Sequence, residues 1–324
     1  MPADPNTAPA ALPQVPLGAS GLLVSRLALG SWRTFERIDR ERGLAVMRAA
    51  REAGITLLDD ARYNDETGTA PIPTGYSEVV FGELFRAAGW RRDEVIVANK
   101  LWWEFWPAQT PSQELTGSLR RMGIDHVDLI YSDRPPDGVP LEDVVGMITS
   151  LVTAGYARTW GAFNWSPAQL EQAWQIAEEV GGTGPCAVQP PYSLVRRDVV
   201  ENSELTSIAT ARGIAIIASY SLAGGVLTGK YAADPQAGRA SGQLDQPPYA
   251  AAAVVASQLR ALAAEVGRDP AQLALAFALL NPSVTAVLFG ATSPQQVTAN
   301  VGAIRVAAEL APDEVARLGA IGRA

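Results

Sequence analysis

Three residue types that can move protons recur where short apolar runs end. "ITLLDD" closes on Asp59 and Asp60 with Tyr63 just beyond, "EVIVANK" closes on Lys100, and "VDLIYSD" reaches Asp133. A phenol with an ordinary pKa near ~10 is a poor acid at neutral pH. An ammonium beside it favours the phenolate and lowers that value. In such a set Asp59 holds Lys100 in place, Lys100 tunes Tyr63, and Tyr63 gives a proton to a carbonyl oxygen as hydride reaches the carbon. Taken singly, a Lys–Asp pair of this kind has a plainer reading as a solvated ion pair, so the chemistry depends on whether the fold gathers the set.

Composition removes the main rivals. The chain has one histidine, His126, and one cysteine, Cys186, too few for a zinc site built on imidazole or thiolate, so no metal is expected. His126 lies in "GIDHVDL", a helix-to-strand connection, which argues against Ser-His-Asp and Cys-His chemistry. A formal net charge of −8 over 324 residues disfavours nucleic acid and anionic membrane as partners. One cysteine excludes an internal disulfide and fits a reducing, cytoplasmic setting. No apolar run is long enough to span a bilayer.

The elements that must position the set come in a regular order. Apolar runs such as "VSRLALGSW", "ITLLDD", "EVIVANKLW", "VDLIYS", "ARTWGAF", "CAVQPP", "IAIIASY" and "VTAVLFGA" alternate with amphipathic stretches, many of which close on glycine. Alternation of this kind predicts parallel strands with right-handed helical crossovers. Eight units predict an α/β fold, a (β/α)8 TIM barrel, and no GxGxxG follows the first strand to favour an open Rossmann sheet. "VPLGASGLLVS" predicts an N-terminal β-hairpin closing the barrel bottom. Residues 1–14, rich in Pro and Ala, read as a disordered tail, and 15–324 as one barrel domain. The segment from Lys230 to Ala250 after strand seven reads as a long loop and a lid.

Active sites of such barrels lie at the C-terminal ends of the strands. There the fifth strand offers Asn164, the sixth Gln189, and the seventh Ser219, Tyr220 and Ser221. The eighth runs into "FGATSPQQ": Gly290 leads a turn, Ser293 is an N-cap, Pro294 follows, and Gln296 takes the capping-box position. A helix N-terminus after strand eight is a phosphate seat. "LWWEFW" places Trp102, Trp103 and Trp106 after strand three, either as an aromatic substrate mouth or as a packed loop.

"LGASGLLVSRLALGSW", "LAGGVLTGKY" and "FGATSPQQVTANVGAI" resemble the aldo-keto reductases, and the likeness runs from about Leu17 to Ile321. "GWRRDEVIVANK", "LIYSDRPP" and "GKYAADPQAGRAS" resemble the potassium-channel β-subunit branch and its bacterial relatives. The resemblance implies a tetrad of Asp, Tyr, Lys and His. Asp59 and Lys100 match it. Tyr63 matches with a run from Asp to Tyr one residue short, and "NDETGTAPIPTG" follows, so Tyr76 is a rival acid; Tyr63 is preferred as the one nearer the strand end. Asp133 stands in the histidine position. It is either protonated and donating, or paired with Arg134 or a substrate cation.

The resemblance also implies NADP, with an aldehyde or ketone as substrate. Asn164 and Gln189 would grip the carboxamide, although Phe163 stands where many members have Ser. Ser31, Trp32, Leu222 and Gly224 would line the cofactor, with Tyr220 one place late for the stacking aromatic. Arg239, Gly290, Thr292, Ser293, Gln296 and Asn300 would serve the adenosine end and its 2′-phosphate. The alternative is a nicotinamide-binding sensor or partner subunit with little turnover. A Schiff-base enzyme using Lys100 is a third reading, disfavoured by the adenosine-like loop. The sequence leaves a homo-oligomer open.

Overall fold

The structure, a computed structural model, describes residues 12–232, 234, 236, 238, 240–247 and 249–323. A short antiparallel hairpin, β1 (Gln14–Pro16) and β2 (Leu23–Ser25), opens the described chain. Eight parallel strands then close into a barrel: β3 (Leu27–Gly30), β4 (Leu57–Asp59), β5 (Ile96–Leu101), β6 (Val127–Ser132), β7 (Ala157–Ala162), β8 (Ala187–Val188), β9 (Ala215–Ala218) and β10 (Ala286–Phe289). Closure comes from β10 pairing with both β9 and β3. The expected (β/α)8 barrel and its hairpin are therefore present.

Six helices return the chain between the earlier strands: α1 (Arg40–Glu52), α2 (Tyr76–Ala87), α3 (Pro111–Met122), α4 (Leu141–Thr153), α5 (Pro167–Glu179) and α6 (Ser203–Arg212). Their starts are written in the sequence. Thr110 with Gln113 and Ser166 with Gln169 form capping boxes ahead of Pro111 and Pro167, satisfying N–H groups that the first turn leaves without partners. After β9 come α7 (Tyr249–Val266) and α8 (Pro270–Leu280), and after β10 come α9 (Pro294–Val301), α10 (Ala303–Glu309) and α11 (Pro312–Ala320). Among the described residues no single helix is long and apolar enough to cross a membrane.

Two cores divide the alternating strand residues. Leu57, Ile96, Ala98, Leu129, Tyr131, Ala215 and Ile217 face the barrel axis with Leu17, Leu22 and Val24 of the hairpin region beneath them. Leu58, Val97, Ile130 and Ile216 face the helices. Continuous burial of both faces is why these strands read as apolar runs. Gly161 shows how tightly the inside is filled. A Cβ there would stand 2.6 Å from the Ala187 carbonyl oxygen and 2.8 Å from the Tyr131 ring.

Three boundaries differ from the sequence reading. Leu12 is buried and Gln14 already lies in β1, so residues 12–14 belong to the ordered hairpin region and not to a tail; residues 1–11 lie outside the described residues. "VSRLALGSW" is divided, Val24–Ser25 ending β2 and Leu27–Gly30 forming β3. Finally, α7 begins at Tyr249, inside the expected loop.

Candidate active site

Strand alternation puts Asp59 at the inner end of β4 and turns Asp60 outward. Lys100 points inward near the end of β5, one level above Ala98. The Lys100 Nζ donates to Asp59 Oδ1 at 2.5 Å, and both residues are buried. The other carboxylate oxygen, Oδ2, accepts from Gln189 Nε2 at 2.8 Å. Rings of Tyr63, Tyr131 and Phe163 stand 5.9 Å from Nζ on three sides, faces that attract a cation. Lys100 Nζ reaches the Tyr63 hydroxyl at 3.5 Å. The structure thus brings Tyr63, Lys100 and Asp59 together.

Their electrostatics do not follow the expected direction. Tyr63 is pushed well above the ordinary phenol range by burial and by the Asp59 and Asp60 carboxyls. Lys100 was expected to lower it. Asp59 holds the ammonium at 2.5 Å, closer than the phenol at 3.5 Å, so the cation's field is largely spent on the carboxylate. The phenol is a firmly protonated group.

Tyr76, the rival, begins α2, and its hydroxyl accepts from Arg40 at 3.0 Å. The shortened spacing from Asp59 to Tyr63 is absorbed locally. Asn64 and Thr74 pair across an antiparallel bridge, Gly75 N donates to Tyr63 O at 2.8 Å, and Arg62 Nη1 donates to Thr74 Oγ1 at 2.8 Å. The inserted residues therefore leave and rejoin the chain at one point. Buried Arg62 also reaches Glu104 at 2.9 Å and buried Glu114 at 3.4 Å.

Ser31, expected at the cofactor, is buried outside the cleft lining, and its hydroxyl donates to Asp60 Oδ1. Asp60 Oδ2 has no hydrogen-bond partner among the described residues. Burial, then the Glu78 carboxylate, pushes Asp60 well above the usual carboxylate range, against the Ser31 bond. A carboxyl raised on folding contributes stability below its unfolded pKa and loses it as pH rises toward the folded value. Asp60→Asn is therefore expected to raise stability at neutral pH by on the order of 1 kcal/mol. That gain should shrink as pH falls to ~4. Urea melts of both proteins at the two pH values check this.

The strand ends open into a cleft of about 740 Å³. Its lining includes Trp32, Asp59, Tyr63, Lys100, Trp102 and Phe163. Asn164, Gln189, Tyr220, Leu222 and Gly224 line it too, Gln189 directly bonded to Asp59. Gly290, Thr292, Gln296 and Asn300 bring the loop after β10 and helix α9 to the same lining. Ser219 stays in register beside Pro191 as an extension of β9. Tyr220 turns out with φ 55° and takes Arg196 over its ring at 5.6 Å. Ser293 caps α9, accepting from Gln296 N at 3.3 Å, but is not part of the lining. Arg239 lies outside the described residues.

Two further expectations are corrected. Trp103 and Trp106 do not line the cleft. Glu114 accepts from the Trp102 and Trp103 backbone N–H groups. Trp103, at φ 61°, packs edge-on against Trp106 with its indole N–H on Ser132. Of these three, Trp102 alone lines the cleft, 6.0 Å from the Tyr63 ring. Asp133 is the second. It lies outside the lining, half-buried, and accepts from Asn164 Nδ2 and from the Arg134 backbone N–H, each at 2.8 Å. It neither donates into the cleft nor pairs with the Arg134 guanidinium among the described residues. The physical reason is that β6 ends at Ser132, so the strand no longer holds Asp133 inward.

The aldo/keto reductase family model matches residues 26–323. The chain belongs to the aldo/keto reductase family. It is 33% identical over 323 residues to a probable voltage-gated potassium channel subunit beta of Oryza sativa subsp. japonica, covering 94% of this chain and 95% of the relative. A probable subunit of the same description from Arabidopsis thaliana is 32% identical over 315 residues, with 91% and 92% covered. A putative one from Schizosaccharomyces pombe is 33% identical over 327 residues, with 94% and 92% covered.

For an aldo/keto reductase, a family of oxidoreductases that generally binds NAD(P)H, the donor set of this cleft fits a dinucleotide. It is lined by two side-chain amides at strand ends, Asn164 and Gln189, and by Gln296 and Asn300 of α9. Gly224 and Gly225, both in the lining, have φ of 67° and 92°, a conformation that favours glycine. Sequence reasoning missed Arg196 and Lys230, both in the lining. Lys230 follows the glycine-rich "LAGGVLTG", the one signal that could have drawn attention to it.

Proposed function

We propose that the chain is an NADP-dependent aldo-keto reductase that reduces an aldehyde or ketone to its alcohol, with Tyr63 as general acid, Lys100 and Asp59 as its support, and the cytoplasm as its location. The observation that carries this reading is the buried Asp59–Lys100 pair beside the Tyr63 hydroxyl, in the lining of a cleft of about 740 Å³. When bound, NADPH supplies the hydride. Asn164 and Gln189 would hold the carboxamide, and Thr292, Gln296 and Asn300, with Arg239, would serve the 2′-phosphate end. Trp32, Trp102 and Phe163 give the substrate an apolar, aromatic approach that excludes water.

Tyr63 completes the reduction by protonating the developing alkoxide, a far stronger base than phenolate. A raised phenol pKa therefore does not prevent donation; it sets the pH dependence. The group stays protonated into alkaline solution, so the rate of reduction is expected to stay flat from neutral pH and fall only above ~10. Alcohol oxidation needs the phenolate and should rise across the same range. A reduction limb that instead falls near ~8, in a profile of kcat/KM, would contradict this assignment.

A second reading, a nicotinamide-binding sensor or partner subunit with little turnover, is favoured by Asp133 lying out of the cleft and by the names of the relatives. Single-turnover oxidation of bound NADPH by a reactive aromatic aldehyde separates the two. Binding without oxidation over a broad carbonyl panel would support the sensor.

A further inference from the structure

Asp133 and Asn164 form a pair whose chemistry is more specific than its distance. A carboxylate has acceptor sites only, whereas a primary amide has one carbonyl and one NH2 group. The 2.8 Å contact between them therefore fixes which end of the Asn164 amide faces Asp133. The NH2 group must. The carbonyl oxygen is left as the acceptor Asn164 has for a ligand in the cleft it lines.

Gln189 is held in the same way. Its Nε2 donates to Asp59 Oδ2 at 2.8 Å, which leaves its own carbonyl oxygen for the cleft. Two side-chain amides, from two neighbouring strand ends, are thus each oriented by a carboxylate behind them. A pair of carbonyl acceptors suits a group with two N–H donors, which a primary carboxamide is.

Asp133 is itself held at both ends. Its backbone carbonyl accepts from the Trp165 indole at 2.8 Å and from the Ser132 hydroxyl at 3.0 Å. Its carboxylate also takes the Arg134 backbone N–H at 2.8 Å. Asn164, by contrast, is exposed and sits at φ 62°, a conformation Asn tolerates better than most residues. An exposed amide in the cleft lining is tied to a half-buried carboxylate that has backbone contacts of its own.

The geometry points to Asp133 as a positioning residue that orients the Asn164 amide for the nicotinamide carboxamide. This rests on the reductase reading above. It gives Asp133 no part in proton transfer. The carboxylate is placed where it reaches the cofactor only through Asn164.

The test is a pair of dissociation constants measured on the full chain, for NADPH and for 2′,5′-ADP, which has the adenosine 2′-phosphate end but no nicotinamide. NADPH is chosen because its reduced ring is uncharged, so loss of the Asp133 charge itself has little effect on binding. Asp133→Ala frees the Asn164 amide to present either end, and NADPH affinity is expected to fall about tenfold, the effect of one well-formed hydrogen bond. Affinity for 2′,5′-ADP should stay within about twofold, which also reports that the variant is folded. Asp133→Asn keeps a carbonyl that can accept from Asn164, so it should recover NADPH binding to within about threefold of the unmodified chain.

Unchanged NADPH affinity in Asp133→Ala would overturn the inference. So would equal weakening for both ligands, which marks a structural defect, or an Asp133→Asn variant no better than Ala. Failure of the unmodified chain to bind NADPH would be a different result: it removes the reductase reading, and the inference with it.

Discussion

Tyr63→Phe is expected to slow single-turnover oxidation of NADPH by a hundredfold or more, as removal of a general acid should. NADPH affinity is expected to stay within about twofold of the unmodified chain. The phenyl ring keeps the packing against Trp102, whose ring stands 6.0 Å away. What disappears is the hydroxyl 3.5 Å from Lys100 Nζ. The comparison variant is Tyr76→Phe, whose hydroxyl meets Arg40 instead and whose loss should leave the rate unchanged. Stopped-flow fluorescence of bound NADPH reads both. Equal rates in the unmodified chain and Tyr63→Phe would remove Tyr63 from the acid's role.

Asp59→Asn is expected to be the most destabilising single change at the site. Both oxygens of Asp59 are engaged, one by Lys100 and one by Gln189, and all three residues are buried. The amide keeps the shape but leaves the ammonium without its counter-charge. Breaking one side of a buried pair costs about 3–5 kcal/mol, enough to lower a urea midpoint by about 1 M. Adding Lys100→Met removes the stranded charge, so the double variant should regain much of that stability and none of the activity. A double variant as unstable as Asp59→Asn alone would mean the loss comes from packing or from Gln189, not from the ion pair.

The fold was legible because parallel strands buried on both faces must be apolar throughout, and because Thr110 and Ser166 announce their helices with Gln113 and Gln169. The Asp59–Lys100 pair was legible because alternation along β4 and β5 puts both residues on the same inner face. Helix α7 escaped notice. Its run "YAAAAVVASQLRALAAEV" carries alanine on both faces and exposes Val254, so no apolar stripe stands out. Ser31 and Trp103 were misplaced for a different reason. Each lies just past a strand end, where period-two reasoning stops and local contacts with Asp60 and Ser132 decide the direction. Asp133 is the same case: it lies one residue past the end of β6, and its carboxylate meets the Asn164 amide, remote in sequence, a pair that no single-sequence pattern reports.

The closed base of the inserted loop has a practical consequence. The Asn64–Thr74 bridge, the Arg62–Thr74 hydrogen bond and the Gly75–Tyr63 backbone bond join the two ends of the insertion directly to each other. Length or sequence between 65 and 73 can then change with little force transmitted to the phenol. In engineering terms the segment is a cassette next to Tyr63. It offers a place to diversify the chain while the phenol keeps its address.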